Sequence, residues 1–309
     1  MTFSVTILGS NSALPTSERY PAAQILSVSE RFFLIDCGEG TQMQMRKYKI
    51  GFSKIDHVFI SHLHGDHVFG LIGLISTLGL LRRKHPLYVY AHHDLERLYR
   101  PHLNYFCPDL PFDVHFVPLN LKMRQVIFED KRITIESIPL KHRVSACGFI
   151  FSEKSSLPNI RKERIEEYGL SIAEIVKIKD GGDLMLENGQ IVPNHELVVQ
   201  PPRPRSYAYC SDTKYFKALA NDVKGVDLLY HEATFTSENA QLAKKTTHST
   251  AAQAAQTAKD AGVGMLVIGH FSSRYHELDV YLREAMPIFP NTRLAIEGKT
   301  FDIPHRDQL

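Results

Sequence analysis

The sequence predicts an α/β fold, and three observations carry that reading. Short apolar runs recur along the chain, and each ends in a polar residue able to do chemistry. Segments with helical apolar spacing lie between them. The chain is 309 residues long, 43% hydrophobic and 23% charged, which suffices for a large buried core.

Residues 3–8 form the first run and lead into Gly9-Ser10-Asn11. Residues 31–35 lead into Asp36-Cys37-Gly38, and residues 58–60 lead into a histidine cluster. Residues 133–140 precede Lys141-His142, and 206–210 precede Ser211-Asp212. Residues 226–230 precede His231-Glu232, and 265–268 precede Gly269-His270. These read as strands whose far ends converge on one edge, where layered α/β proteins commonly build their sites. Helices fit between them at 41–47, 70–83, 249–261 and 281–285. The Ala-rich third one has Ser249 or Thr250 as its N-cap and Gly262 as its stop. The apolar helix at 70–83 fits a core position and an interface position equally well.

Residues 153–204 break the pattern. The stretch 160–168 is dense in charge, Gly181-Gly182 and Glu187-Asn188-Gly189 are turn signals, and 183–186 with 190–192 resemble a small hairpin. This segment reads as an insertion protruding from a single domain that spans 1–309.

The bulk properties exclude little. Formal net charge is +2 and the pI about 8.2, too near neutral to argue for nucleic acid by charge alone. Cys37, Cys107, Cys147 and Cys210 form no CxxC pair and read as reduced thiols of a cytoplasmic protein. The N-terminus reads as a first strand rather than a signal peptide. No apolar run approaches the length that spans a bilayer, so no membrane partner is expected.

The most informative stretch is Ser61-His62-Leu63-His64-Gly65-Asp66-His67, directly after an apolar run. Imidazole suits zinc, and a neighbouring carboxylate takes a second, harder coordination role. Two metals about 3.5–4 Å apart need about three protein ligands each and a bridging group. His142, Asp212 and His270, each just after an expected strand, supply further candidates.

This motif, followed by isolated His, Asp and His, resembles the metallo-β-lactamase superfamily. Asp36-Cys37-Gly38-Glu39-Gly40-Thr41-Gln42, His231-Glu232-Ala233-Thr234 and His248-Ser249-Thr250 narrow the resemblance to the short form of ribonuclease Z. It runs over nearly the whole chain. The resemblance implies a four-layer αββα sandwich with 153–204 as an inserted flexible arm that grips tRNA. It implies two Zn²⁺ per subunit: His62, His64 and His142 on one, Asp66, His67 and His270 on the other, and Asp212 bridging. It implies Asp66, His248 and Glu232 as catalytic residues, with His248 supplying a proton to the leaving oxygen and Glu232 fixing that imidazole. Asp36 reads as a structural brace for the metal loop. The implied activity is removal of 3′ trailers from pre-tRNA by a homodimer, leaving a tRNA 3′-hydroxyl. The alternative is a hydrolase of small phosphodiesters or other esters on the same scaffold.

The chain departs from the family pattern twice. The arm carries Tyr168-Gly169-Leu170-Ser171 where a Gly-Pro pair is usual, and Ser17 stands for Lys in Pro15-Thr16-Ser17-Glu18-Arg19. Arg161, Lys162, Arg164, Lys177 and Lys179 fit phosphate contacts, but with Glu163, Glu166, Glu167 and Glu174 among them a solvated mixed-charge face fits as well.

Overall fold

The computed structural model describes residues 2–305. Its first half begins with β1 (Phe3–Gly9), β2 (Ala23–Val28) and β3 (Arg31–Cys37), an antiparallel meander. Helix α1 (Thr41–Lys47) then leads to β4 (Ile55–Phe59), which pairs in parallel with β3. A short helix α2 (Gly65–Val68) and α3 (Gly70–Leu80) follow, then β5 (Leu87–Ala91), α4 (Asp94–Phe106) and β6 (Val114–Pro118). The second sheet starts with β7 (Gln125–Glu129), β8 (Ile133–Leu140) and β9 (Ala146–Glu153).

A second compact unit, centred on Glu153–Pro204, is inserted next. It contains β10 (Asn159–Ile160), α5 (Lys162–Tyr168), α6 (Ile172–Lys179), β11 (Leu184–Met185), β12 (Ile191–Val192), α7 (Asn194–Leu197) and β13 (Val198–Val199). Leu184 pairs with Val192, forming the hairpin expected at Glu187-Asn188-Gly189. Ile178, Leu184, Val192 and Leu197 form a small core of its own. Helix α6 opens with a capping box between Ser171 and Glu174, which satisfies two N-terminal groups reciprocally.

The chain re-enters the second sheet with β14 (Ser206–Cys210), whose Ser206 pairs with Ser152 of β9. Then come α8 (Leu219–Asp222), β15 (Leu228–Glu232), α9 (Ala240–Thr246), α10 (Ala251–Ala261), β16 (Met265–Gly269), α11 (Asp279–Ala285) and β17 (Thr292–Leu294). A last strand, β18 (Thr300–Asp302), returns to the edge of the first sheet beside β1. Among the described residues the two large sheets have seven strands each, in the orders β18-β1-β2-β3-β4-β5-β6 and β17-β16-β15-β14-β9-β8-β7.

The sheets face one another across aromatic side chains. Phe59 meets Phe151 edge-on at 5.5 Å and Phe149 at 5.6 Å, and Phe33 meets Phe151 at 6.1 Å. Such pairs add about 0.5–1.5 kcal/mol each beyond area burial. The outer face of the first sheet is covered by Leu71, Leu74, Ile75 and Leu78 of α3 and Leu95, Tyr99 and Leu103 of α4. The outer face of the second is covered by the alanines of α10 with Tyr281 and Ala285 of α11. The result is the four-layer αββα sandwich. Among the described residues no helix is long and apolar enough to cross a membrane.

Several boundaries differ from the sequence reading. Helix α3 stops at Leu80, followed by a turn in which Arg82 adopts φ +57°. Strand β15 runs through His231 and Glu232 rather than ending before them, because parallel pairing with β16 continues to Glu232–Gly269. Strands β2, β5, β6 and β9 and helix α4 carry no clear mark in the sequence. Most of β9 is buried, so it lacks the alternation that identifies a half-exposed strand.

Candidate metal centre

The site lies at the ends of β3, β4, β8, β14, β15 and β16, all in the larger unit. The loop after β4 delivers His62 and His64, and α2 carries Asp66 and His67. His142 follows β8, Asp212 follows β14, and His270 follows β16 directly. The structure brings all seven together.

Two clusters result. In the first, His62 Nε2 lies 3.0 Å from His64 Nδ1, which lies 3.3 Å from His142 Nε2. Asp212 Oδ2 is 3.5 Å from His62 Nε2 and 3.7 Å from His142 Nε2. In the second, Asp66 Oδ2 lies 3.5 Å from His67 Nε2 and 3.4 Å from His270 Nε2. The other Asp212 oxygen, Oδ1, is 3.5 Å from His67 Nε2 and 3.2 Å from His270 Nε2. Asp212 thus gives one oxygen to each cluster.

These spacings fit a bound cation. Ligand bonds of about 2.1 Å in a tetrahedron place donor atoms about 3.4 Å apart. The buried His67 Nε2 has no hydrogen-bond partner among the described residues, although Asp36 holds the opposite ring nitrogen at 2.7 Å. With Nδ1 held by Asp36, Nε2 is the ring atom left to face Asp66 and Asp212.

Charge follows the same division. Burial pushes His62, His64 and His142 below the ordinary histidine range, which keeps their lone pairs available. His67 goes the other way: burial opposes its charge, but Asp66, Asp36 and Asp212 outweigh that. Asp66 and Asp212 are held far below the usual carboxylate range, since neighbouring histidines outweigh their burial.

The supporting contacts come partly from the motifs and partly from residues outside them. Asp36 accepts from Ser61 N at 2.8 Å, from Ser61 Oγ at 2.9 Å and from Tyr209 OH at 2.6 Å. His142 Nδ1 donates to the Thr247 carbonyl at 3.0 Å. His270 Nδ1 is 2.9 Å from Thr234 Oγ1, which donates to Glu232 Oε2 at 2.8 Å. Ala13 N donates to Asp66 Oδ2 at 2.8 Å. Thr234 closes the His231–Thr234 motif read from the sequence, whereas Thr247, Tyr209 and Ala13 were not singled out there. Asp36 and His270 themselves have φ of +54° and +61°, left-handed conformations uncommon for residues with a side chain. Such strain costs on the order of 1–3 kcal/mol per residue and concentrates at functional sites.

Beside the clusters, His248 Nδ1 lies 2.9 Å from Glu232 Oε1. Glu232 is fully buried and also accepts from Thr213 N, Ser249 N and Thr234 N. Burial works against a charged His248, but Glu232 and then Asp212 raise its pKa to about 9. His231, by contrast, turns into the core and donates from Nδ1 to the Glu232 carbonyl at 2.7 Å. The clusters open into a cleft of about 590 Å³ that Ala13, Phe69, Arg143, Phe235 and His248 also line.

Known proteins resemble this chain in sequence and in fold. Residues 3–157 match the family model described as anti-Pycsar protein Apyc1, and residues 192–271 match the β-lactamase superfamily domain. Ribonuclease Z of Phocaeicola vulgatus is 48% identical over 96% of this chain and 96% of its own length. The chain belongs to the ribonuclease Z family. Ribonuclease Z of Bacteroides thetaiotaomicron is 46% identical, covering 97% of this chain and 95% of its own. Among solved structures, the short form of human tRNase Z superposes with a TM-score of 0.71 at 25% identity, covering 97% of this chain and 99% of that one. The metallo-β-lactamase fold protein YhfI from Bacillus subtilis superposes at 0.69 with 18% identity, covering 98% and 100%, and supports the fold.

Proposed function

We propose that this ribonuclease Z family member is a two-zinc endoribonuclease that removes 3′ trailers from pre-tRNA. The observation that carries the reading is Asp212, whose two oxygens face separate clusters at ligand-edge distances. His62, His64 and His142 would hold one zinc, Asp66, His67 and His270 the other, and Asp212 both. A donor set of imidazole and carboxylate suits zinc. When bound, the pair of ions supplies an activated water near neutral pH and neutralises charge on the phosphoryl oxygens.

The protein's own groups do the rest. Asp66, aimed by the Ala13 N–H, accepts the proton of the attacking water. His248 donates a proton to the departing O3′ of the tRNA. Glu232 fixes the Nδ1–H tautomer of that imidazole and supports its charge, so that Nε2 can serve as the acid. Asp36 likewise fixes the Nδ1–H tautomer of His67, which leaves Nε2 as the atom that would bind the metal.

In the same reading, the unit at 153–204 is an exosite arm for the tRNA, the protein works as a homodimer, and it resides in the cytoplasm. The arm's cationic residues serve backbone phosphates. The test combines metal analysis with cleavage of a 3′-extended pre-tRNA. About two zinc ions per chain and a single cut after the discriminator base are expected. Hydrolysis of bis(p-nitrophenyl) phosphate alone, with the pre-tRNA left intact, would replace the reading with a small-ester hydrolase.

A further inference from the structure

Two phenylalanines line the cleft, and they differ in how they are used. Phe235 is only 5% exposed, with its ring 6.1 Å from His248 and covered by the Arg274 guanidinium at 5.4 Å. Phe69 is 70% exposed. It sits at the junction of α2 and α3, two residues after the ligand His67. Along α3, Leu71, Leu74 and Ile75 are buried and Ile72 is partly buried against the same core, so the chain places Phe69 outside a core that lies within reach.

Its position is well defined. Phe69 N donates to the Gly65 carbonyl at 2.9 Å. A Cβ at residue 65 would overlap the Phe69 ring, so the ring packs against the metal loop at Gly65. Only glycine between His64 and Asp66 leaves room for it there. One side of the ring rests on Gly65, and the exposed remainder lines the cleft together with His64 and Asp66. An aromatic side chain fixed on one side and open on the other beside a phosphodiester site is a platform for a base.

We infer that Phe69 stacks a nucleobase adjoining the scissile phosphate and so positions the RNA strand across the metal clusters. The inference rests on the endoribonuclease reading above. Stacking is tolerant of base identity, because every base has a π-face. Phe69 would therefore hold the strand in register without reading its sequence.

The experiment is a cycle between side chain and base. Pre-tRNAs are made with an abasic nucleotide on the 5′ or the 3′ side of the cut, and wild type is compared with Phe69→Ala. Loss of a stacked base costs roughly 5- to 150-fold in affinity. Phe69→Ala is expected to lower kcat/KM for the intact precursor in that range, mainly through KM, with zinc content unchanged. One of the two abasic precursors should show a similar loss with wild type and no further loss with Phe69→Ala. Phe69→Trp should restore the wild-type value.

The inference is overturned if the losses multiply at both positions. It is also overturned if Phe69→Ala stays within about twofold of wild type, or if the variant changes the oligomer mass while the abasic penalties persist. Failure of the endoribonuclease reading looks different, because wild type would then leave the intact precursor uncut.

Discussion

His248 shows how one residue acquires a role from its partners. The side chain reaches the cleft, while Glu232 holds its Nδ1 at 2.9 Å and Thr234 Oγ1 lies 3.2 Å away. Its nearest metal-cluster carboxylate, Asp212, is 4.0 Å off, longer than the 3.2–3.7 Å from Asp212 to His62, His67, His142 and His270, although Asp212, His248 and His270 also stand close enough to share an ion. His248→Ala should therefore lower turnover on pre-tRNA by the factor typical of a lost general acid, on the order of 10²–10⁴. Zinc content, measured by atomic emission, should stay near the wild-type value. Zinc loss in that variant would make His248 a ligand instead. At this scale the sequence was legible wherever the side chain itself does the work: the candidate ligands and His248 all stand in motifs or just after strands. Of the groups that aim them, Asp36 and Glu232 were legible too, but the Ala13 N–H and the Thr247 carbonyl were not, because they are backbone atoms that almost any residue would provide. The left-handed backbone at Asp36 and His270 was equally hidden, since neither is a glycine.

Between elements, close approach matters more than propensity. Helix α3 begins at Gly70, and a Cβ there would overlap the carbonyl oxygen of Gly38, in the loop after β3. Gly38 is closely packed in turn, because its own Cβ would overlap the Asp66 carbonyl. Helix propensity alone favours alanine over glycine by up to about 1 kcal/mol. Overpacking of this kind costs about 1–3 kcal/mol. Gly70→Ala is thus expected to lower the thermal midpoint, and a rise would show that the loop yields freely. Gly51→Ala is the control: its Cβ would meet nothing within 4 Å, and φ of −73° suits alanine. That variant should match or slightly exceed wild type. The elements legible in the sequence were those with a period or a cap, such as α10 with Thr250 and Gly262. Strand β9 was not, because its burial on both faces removes the alternation. The helical pattern at 70–83 left core and interface open, and the buried Leu71, Leu74, Ile75 and Leu78 place one face of α3 in the core.

For the whole molecule, the chemistry and the grip on a large RNA belong to separate units under the proposed reading. All seven candidate ligands, with His248 and Glu232, lie in the larger unit. The inserted unit leaves from β9 and returns through β14 at the paired residues Ser152 and Ser206. Those ends are already neighbours, so a short Gly-Ser turn can replace residues 154–204 without stretching the sheet. The inserted unit also has an apolar cluster of its own. The shortened protein is expected to keep its zinc and to hydrolyse bis(p-nitrophenyl) phosphate at nearly the wild-type rate. Its kcat/KM for pre-tRNA should fall on the order of 10²-fold or more. Its salt dependence on pre-tRNA should flatten, because fewer backbone phosphates are neutralised and fewer counterions released. Salt dependence separates two explanations that a rate alone would merge. An arm that gripped the RNA through apolar or hydrogen-bonding contacts would lower kcat/KM on deletion and leave the salt slope as it was. If the shortened protein cut pre-tRNA as efficiently as the full chain, the arm would not be the exosite. Recognition would then lie in the cleft, where Arg143 and Phe69 stand beside the metal clusters.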